Sequence, residues 1–150
     1  MKIFLKILIL NFFIFLFFNV SAADRGTKEE AVVLVNRAAE YIRKNGKDKA
    51  ITEFNNQNGQ FIDRDMYIFS MDKNMIILSH NNKKIIGRDF SKFKDGEGKM
   101  MSSEMKEILG EKGSGWIYYK WPDPVSNGLL DKASYLVRVN DIIIGCGIYR

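Results

Sequence analysis

At Phe61 the hydrophobic period of this chain changes from that of a helix to that of a strand, which confines the fold to helices first and sheet afterwards. Before that point Ala31, Leu34, Val35, Ala38, Ala39 and Ile42 recur at the spacing that lines one face of a helix. Thr27 and Glu30 stand at the spacing of a capping box that would start this helix, and Gly46 is a natural stop. Residues 47–54 predict a second, shorter helix, and the Asn/Gln/Gly cluster of residues 55–60 a loop. After Phe61, alternating β-branched and aromatic residues predict strands at 67–71, 75–79, 115–121, 134–139 and 142–149. Asp72-Lys73-Asn74 would join the first two as a tight hairpin and Asn140-Asp141 the last two. Between them, residues 80–114 hold a polar Lys/Asp/Gly stretch and a short helix near 102–109. The expected fold is α+β, with one five-stranded antiparallel sheet and a long N-terminal helix covering one face.

The first segment obeys different rules. Lys2 and Lys6 precede an almost unbroken Ile/Leu/Phe run, and Val20-Ser21-Ala22 supplies the small residues that a signal peptidase reads. Residues 1–22 are therefore expected to be a signal peptide, cleaved after Ala22 or after Ala23, and residues 23–150 a single domain. A permanent membrane anchor is the alternative, since the run is near the lower limit for crossing a bilayer. Setting Lys2 and Lys6 aside lowers the formal charge from +5 to about +3. That mild basic excess, in a chain expected to be periplasmic or secreted, gives no reason to expect a nucleic-acid partner. Cys146 is the only cysteine, which excludes an internal disulfide and a thiolate metal cluster.

Little in the sequence supports catalysis. The glycines at 113, 115, 145 and 147 do not lie between a strand and a following helix, as a phosphate loop requires. Asp95-Gly96-Glu97-Gly98 and Asp63-Arg64-Asp65 are too short for a calcium loop and read as solvated turns. Cys146, within IIIGCGIY, reads as a small buried hydrophobe, and His80 is the only histidine. No cofactor or metal is expected. What does stand out is SGWIYYKWPDP, residues 114–124. On a strand, Ile117, Tyr119 and Trp121 share one face while Trp116, Tyr118 and Lys120 share the other. Tyr and Trp carry donors that need partners when buried, so these rings suit either a core or the wall of a polar-ligand pocket.

The order of these pieces resembles the single Cache domains, and in particular their stand-alone exported form. The resemblance is carried by the amphipathic N-terminal helix, FNNQNGQFIDRDMYIFSMD, the strand ending in His80 before NNKKIIGRD, GSGWIYYKWPDP, KASYLVRV and IIIGCGIY. It implies a PAS-like antiparallel sheet behind a long helix, with a pocket on the sheet for a small ligand, often a short carboxylate or an amino acid. It also implies the site residues: Tyr67 with Phe69 in the first strand, His80 closing the second, and Trp116, Tyr119, Lys120 and Trp121 in the third. Lys132 and Tyr135 belong to the fourth. Lys132 or Lys120 would neutralise a carboxylate, Tyr67, Tyr135 and His80 would donate hydrogen bonds, and Trp116, Tyr119 and Trp121 would exclude water. Tyr118 and Ser79 depart from the usual pattern.

Most relatives pass ligand occupancy to a following transmembrane helix, and no such segment follows here before Arg150. The expectation is an exported binding protein for a small organic acid or amino-acid-like metabolite, with a membrane receptor or kinase as the candidate partner. The alternative is an interaction or scaffold module of the cell envelope with a vestigial pocket.

Overall fold

Helix α1, Lys28–Asn45, begins at the capping box expected of it: the Glu30 amide donates to Thr27 Oγ1 at 3.2 Å and the Thr27 amide to Glu30 Oε2 at 2.8 Å. It stops at Gly46, whose φ of 80° only glycine adopts without strain, and α2, Lys47–Phe54, follows at once. The computed structural model describes residues 24–123 and 125–150, so the expected signal peptide lies outside the described residues.

The strands are β1 (Ile62–Asp63), β2 (Met66–Asp72), β3 (Ile77–Ser79), β4 (Ser114–Pro122), β5 (Leu129–Val139) and β6 (Ile142–Tyr149). Every pairing is antiparallel, in the order β1-β2-β6-β5-β4 with β3 also paired to β2. The sheet thus has one strand more than the five expected. The addition is β1, only two residues long, folded onto β2 by a turn in which Arg64 takes a φ of 55°. The second expected strand is shorter than its sequence suggests, because Met75 adopts a φ of 67° and regular pairing resumes only at Ile77.

Alternation along the strands splits the interior into two cores. On one face Leu34, Val35 and Ile42 of α1 pack on Ile68, Ile144 and Ile148. On the other, Met101, Met105 and Leu109 of α3 (Met101–Glu111) pack on Phe69, Met71, Ile117 and Leu136. Each such side chain contributes about 1.5–3 kcal/mol when fully buried. The crossover from residue 80 to residue 113 therefore covers the face that α1 leaves bare.

That crossover is held by its own polar groups. Asp95 is buried rather than solvated, contrary to the sequence expectation. Its carboxylate accepts from the amides of Glu97 (2.9 Å), Lys99 (2.8 Å) and Lys120 (3.2 Å), which pins the polar loop to the edge of β4. Asn82 and Asp89 cap two single-turn 3₁₀ helices, Lys83–Ile85 and Phe90–Lys92, in the same way.

Candidate ligand-binding site

Lys132 is a lysine where a core residue would be expected. It lies mid-sheet on β5, opposite Tyr119 of β4 and Tyr149 of β6, and is only 2% exposed. Its stem runs over Gly147, where a Cβ would collide with Lys132 Cε and lie 2.6 Å from Ser134 Oγ; glycine is what lets the chain through. The ammonium donates to the hydroxyls of Tyr67 and Tyr149, each at 3.1 Å, and stands 4.8 and 4.5 Å from the centres of their rings.

Among the described residues Lys132 makes no ion pair. Asp123 and Asp65 are instead engaged by Arg25, which reaches Asp123 through two bonds of 2.9 and 3.1 Å and Asp65 at 3.4 Å. Desolvation pushes the Lys132 ammonium down to about 8, so it is still largely charged at neutral pH. A buried cation without an anion is costly, and a ligand carboxylate would relieve that cost.

The surrounding groups are polar at their tips and apolar in their bodies. His80, just beyond β3, accepts from the Asn82 amide at Nδ1 (2.9 Å) and places Nε2 3.2 Å from Tyr67 Oη. Burial, reinforced by Lys132, pushes the imidazole down to about 3, which keeps it neutral. The Tyr119 hydroxyl pairs with Ser134 Oγ at 2.8 Å, and the Trp121 ring meets Tyr119 edge-on at 5.7 Å. Burial raises Tyr67, Tyr119 and Tyr149 above the ordinary phenol range, so all three keep their protons.

Two spaces meet here. An inner chamber of ≈ 20 Å³, room for about one water, is lined by Phe69, Met71, Phe90, Met105, Ile117 and Lys132. An outer cleft of ≈ 520 Å³ is lined by Tyr67, Asn81, Asn82, Lys120, Asp123 and Tyr149. His80, Ile85 and Trp121 line both, so the two spaces adjoin at these three side chains.

Of the residues named from the sequence, Tyr67, Phe69, His80, Tyr119, Trp121 and Lys132 are brought together. Trp116 and Tyr135 are not: they pair with each other at 5.4 Å and pack on the α1 side of the sheet, where Lys28 covers Trp116 at 5.1 Å. Lys120 is on the outer rim, bonded to Asp131 at 2.7 Å. Burial pushes the Cys146 thiol up to about 12, which leaves it protonated and unreactive. Sequence reasoning missed Tyr149, Phe90 and the Arg25–Asp123 pair. Tyr149 was within reach, since the two-residue turn at Asn140-Asp141 fixes a register that sets Tyr149 opposite Lys132.

An antiparallel sheet with α1 and α2 on one face, and on the other, beneath α3 and the crossover, a small chamber lined by a buried cation, is the architecture of a sensor domain. The chain belongs to the Cache domain family, whose family model matches residues 31–150. The methyl-accepting chemotaxis protein McpP of Pseudomonas putida is 30% identical over 90 residues, 58% of this chain; the match spans only 16% of that receptor's length. A Cache chemosensory domain described for its carboxylic acid recognition superposes with a TM-score of 0.63 at 25% identity, covering 81% of this chain and 86% of that one. A methyl-accepting chemotaxis protein from Vibrio parahaemolyticus shares the fold, with a TM-score of 0.69 at 21% identity over 81% of this chain and 87% of its own. Among the described residues no helix is long and apolar enough to cross a membrane.

Proposed function

We propose that the domain binds a short organic acid, with its carboxylate against Lys132 and Tyr67 and its alkyl end in the inner chamber. The observation that carries this is the buried, unneutralised ammonium of Lys132. The related Cache domain described for carboxylic acid recognition supports the same ligand class. An inner chamber with room for about one water accommodates a methyl-sized end and favours acids of roughly two or three carbons. Of the two lysines named from the sequence, Lys132 is the better suited to a ligand, because Lys120 already has Asp131. The role is recognition rather than catalysis, with a membrane receptor or kinase as the partner that reads occupancy.

A ligand that binds only the folded state raises stability by about 2.7 kcal/mol at a hundredfold excess over Kd. In a domain of this size that corresponds to a rise in Tm of roughly 5–15 °C. A thermal-shift panel of acetate, propionate, pyruvate, lactate, succinate and the common amino acids is expected to contain a clear stabiliser, with acids ahead of their amides. A flat response from folded protein free of co-purified ligand would favour a scaffold role.

Export belongs to the same proposal and is supported by Lys2, Lys6, the apolar run and Val20-Ser21-Ala22. Intact-mass measurement on periplasmic protein is expected to show a chain beginning at Ala23 or Asp24; full-length chain in the membrane fraction would overturn it.

A further inference from the structure

Two hydroxyls flank the Lys132 ammonium, and their protons have different fates. Tyr149 Oη accepts from Lys132 at 3.1 Å and donates to the Pro122 carbonyl at 2.8 Å, so its proton is committed inside the protein. Tyr67 Oη accepts from Lys132 at 3.1 Å and lies 3.2 Å from His80 Nε2. The direction of that second bond follows from the far side of the ring. The Asn82 amide donates to His80 Nδ1 at 2.9 Å, which uses the Nδ1 lone pair. A neutral imidazole with Nδ1 accepting carries its proton on Nε2, so Nε2–H donates to Tyr67. Both lone pairs of the phenol are then filled, and among the described residues no acceptor for its O–H lies within hydrogen-bond distance, Tyr149 Oη standing just beyond it.

We propose that His80 is a specificity-determining residue that acts through Tyr67: by holding the phenol as a donor, it restricts the ligand atom at Tyr67 to a pure acceptor. This rests on the carboxylate reading of Lys132. Lys132 has three N–H donors, of which Tyr67 and Tyr149 take two. The third, with the Tyr67 O–H beside it, matches the two oxygens of one carboxylate. A primary amide sets its own N–H against one of these donors, an alcohol brings a proton with nowhere to go, and an alkylammonium brings a second cation. The site accordingly selects organic acids over amides, alcohols and amines of the same skeleton, and His80 supplies the part of that selection that charge alone does not.

The test is calorimetric binding of propionate, propionamide, 1-propanol and propylamine to wild type, His80→Leu and His80→Gln, together with ¹⁵N spectroscopy of the His80 ring. Wild type is expected to bind propionate best and to carry the ring proton on Nε2 throughout the neutral range. In His80→Leu the freed lone pair lets the phenol turn and accept. The preference for propionate over propionamide and 1-propanol should then fall about tenfold, within the range that one misdirected buried hydrogen bond spans. His80→Gln, whose amide can donate in place of Nε2, is expected to restore most of it. An equal loss of affinity for every probe in His80→Leu would assign His80 a packing role and overturn the proposal. A ring proton found on Nδ1 overturns it from wild-type protein alone, even if the variants fail to fold. Wild type that binds none of the acids overturns the carboxylate reading as well. Equal wild-type binding of propionate and propionamide overturns only the selection by His80.

Discussion

The Lys132 ammonium and the Tyr67 hydroxyl are 3.1 Å apart, a cation and a phenol from strands that are not neighbours in the sheet. β6 separates them, and the long lysine stem crosses it over Gly147. A contact of this reach, with no carboxylate to complete it, costs the empty domain stability and prepares it for an anion.

Replacing Lys132 with Met should therefore separate recognition from folding. The variant keeps the stem and discards the charge, so carboxylate binding is expected to weaken by about 2–4 kcal/mol. The empty domain should hold its stability or gain some, because the desolvated cation is gone. Calorimetry and urea melts measure the two effects. An unfolded apo variant would make Lys132 a structural residue and remove it from the site.

The same lysine gives wild-type stability a pH dependence of definite sign. Burial lowers the folded group to about 8 from the ordinary 10.5, so between these values the unfolded chain binds more protons than the folded one. Stability then rises with pH across this window, by on the order of 3 kcal/mol at most. Urea melts at pH 7.5 and pH 9, below the range where the raised Cys146, Tyr67, Tyr119 and Tyr149 strongly oppose the effect, should show a larger rise in wild type than in Lys132→Met. An equal rise in both would assign it to another group.

Much of this arrangement is legible in the sequence. The capping box, the Gly46 stop and the 140–141 turn are local signals, and the structure follows each. Alternation in SGWIYYKWP also separates Tyr119 and Trp121 from Trp116, and the register confirms the separation: Trp116 faces Tyr135 beneath α1. Family resemblance alone put both on the ligand side. What local pattern could not supply was the company Lys132 keeps, because Tyr67, His80 and Arg25 reach it or its neighbours through contacts of long sequence separation. Asp95 was misjudged for a similar reason. A DGEG turn looks solvated until the edge of β4 provides the Lys120 amide.

Gly147→Ala tests whether the path of the lysine stem matters. A methyl group at this position cannot coexist with Lys132 Cε and crowds Ser134 Oγ, so the stem must swing away. Overpacking of this kind costs roughly 1–3 kcal/mol of stability. Binding should suffer more than tenfold, since the ammonium leaves Tyr67. Full affinity in this variant would mean that the position of Lys132 is not what holds the ligand.

Arg25 ties the segment before α1 to the floor of the cleft, where Asp123 is 1% exposed. Arg25→Met leaves that carboxylate with the Ser126 amide and hydroxyl, at 2.9 and 2.6 Å, and the Val125 amide. A loss of about 2 kcal/mol is expected, the value of hydrogen bonds to a charged group. Asp123 is held well below the ordinary carboxylate range chiefly by Arg25, so its contribution is present at neutral pH and is lost as pH falls below about 4. Acid unfolding curves of Arg25→Met should accordingly be shallower than those of wild type. Identical curves would show that the pair does not stabilise the fold.

Above the pKa of the ligand itself, carboxylate binding should depend on pH on the alkaline side only. A short acid is ionised above about pH 5, and its charge then stays constant. His80, held near 3, does not change charge above that point, and burial keeps Tyr67 and Tyr149 protonated well beyond neutrality. Lys132, at about 8, is the pocket group that titrates next. Affinity for propionate is therefore expected to be level from about pH 5.5 to 7.5, and then to fall by up to tenfold per unit as the empty site loses its proton. Binding the anion raises the lysine pKa, so each complex formed above pH 8 takes up a proton, which calorimetry in buffers of different ionisation enthalpy detects directly. Affinity that stays level to pH 9.5 with no proton uptake would show that the ligand is held without the Lys132 charge.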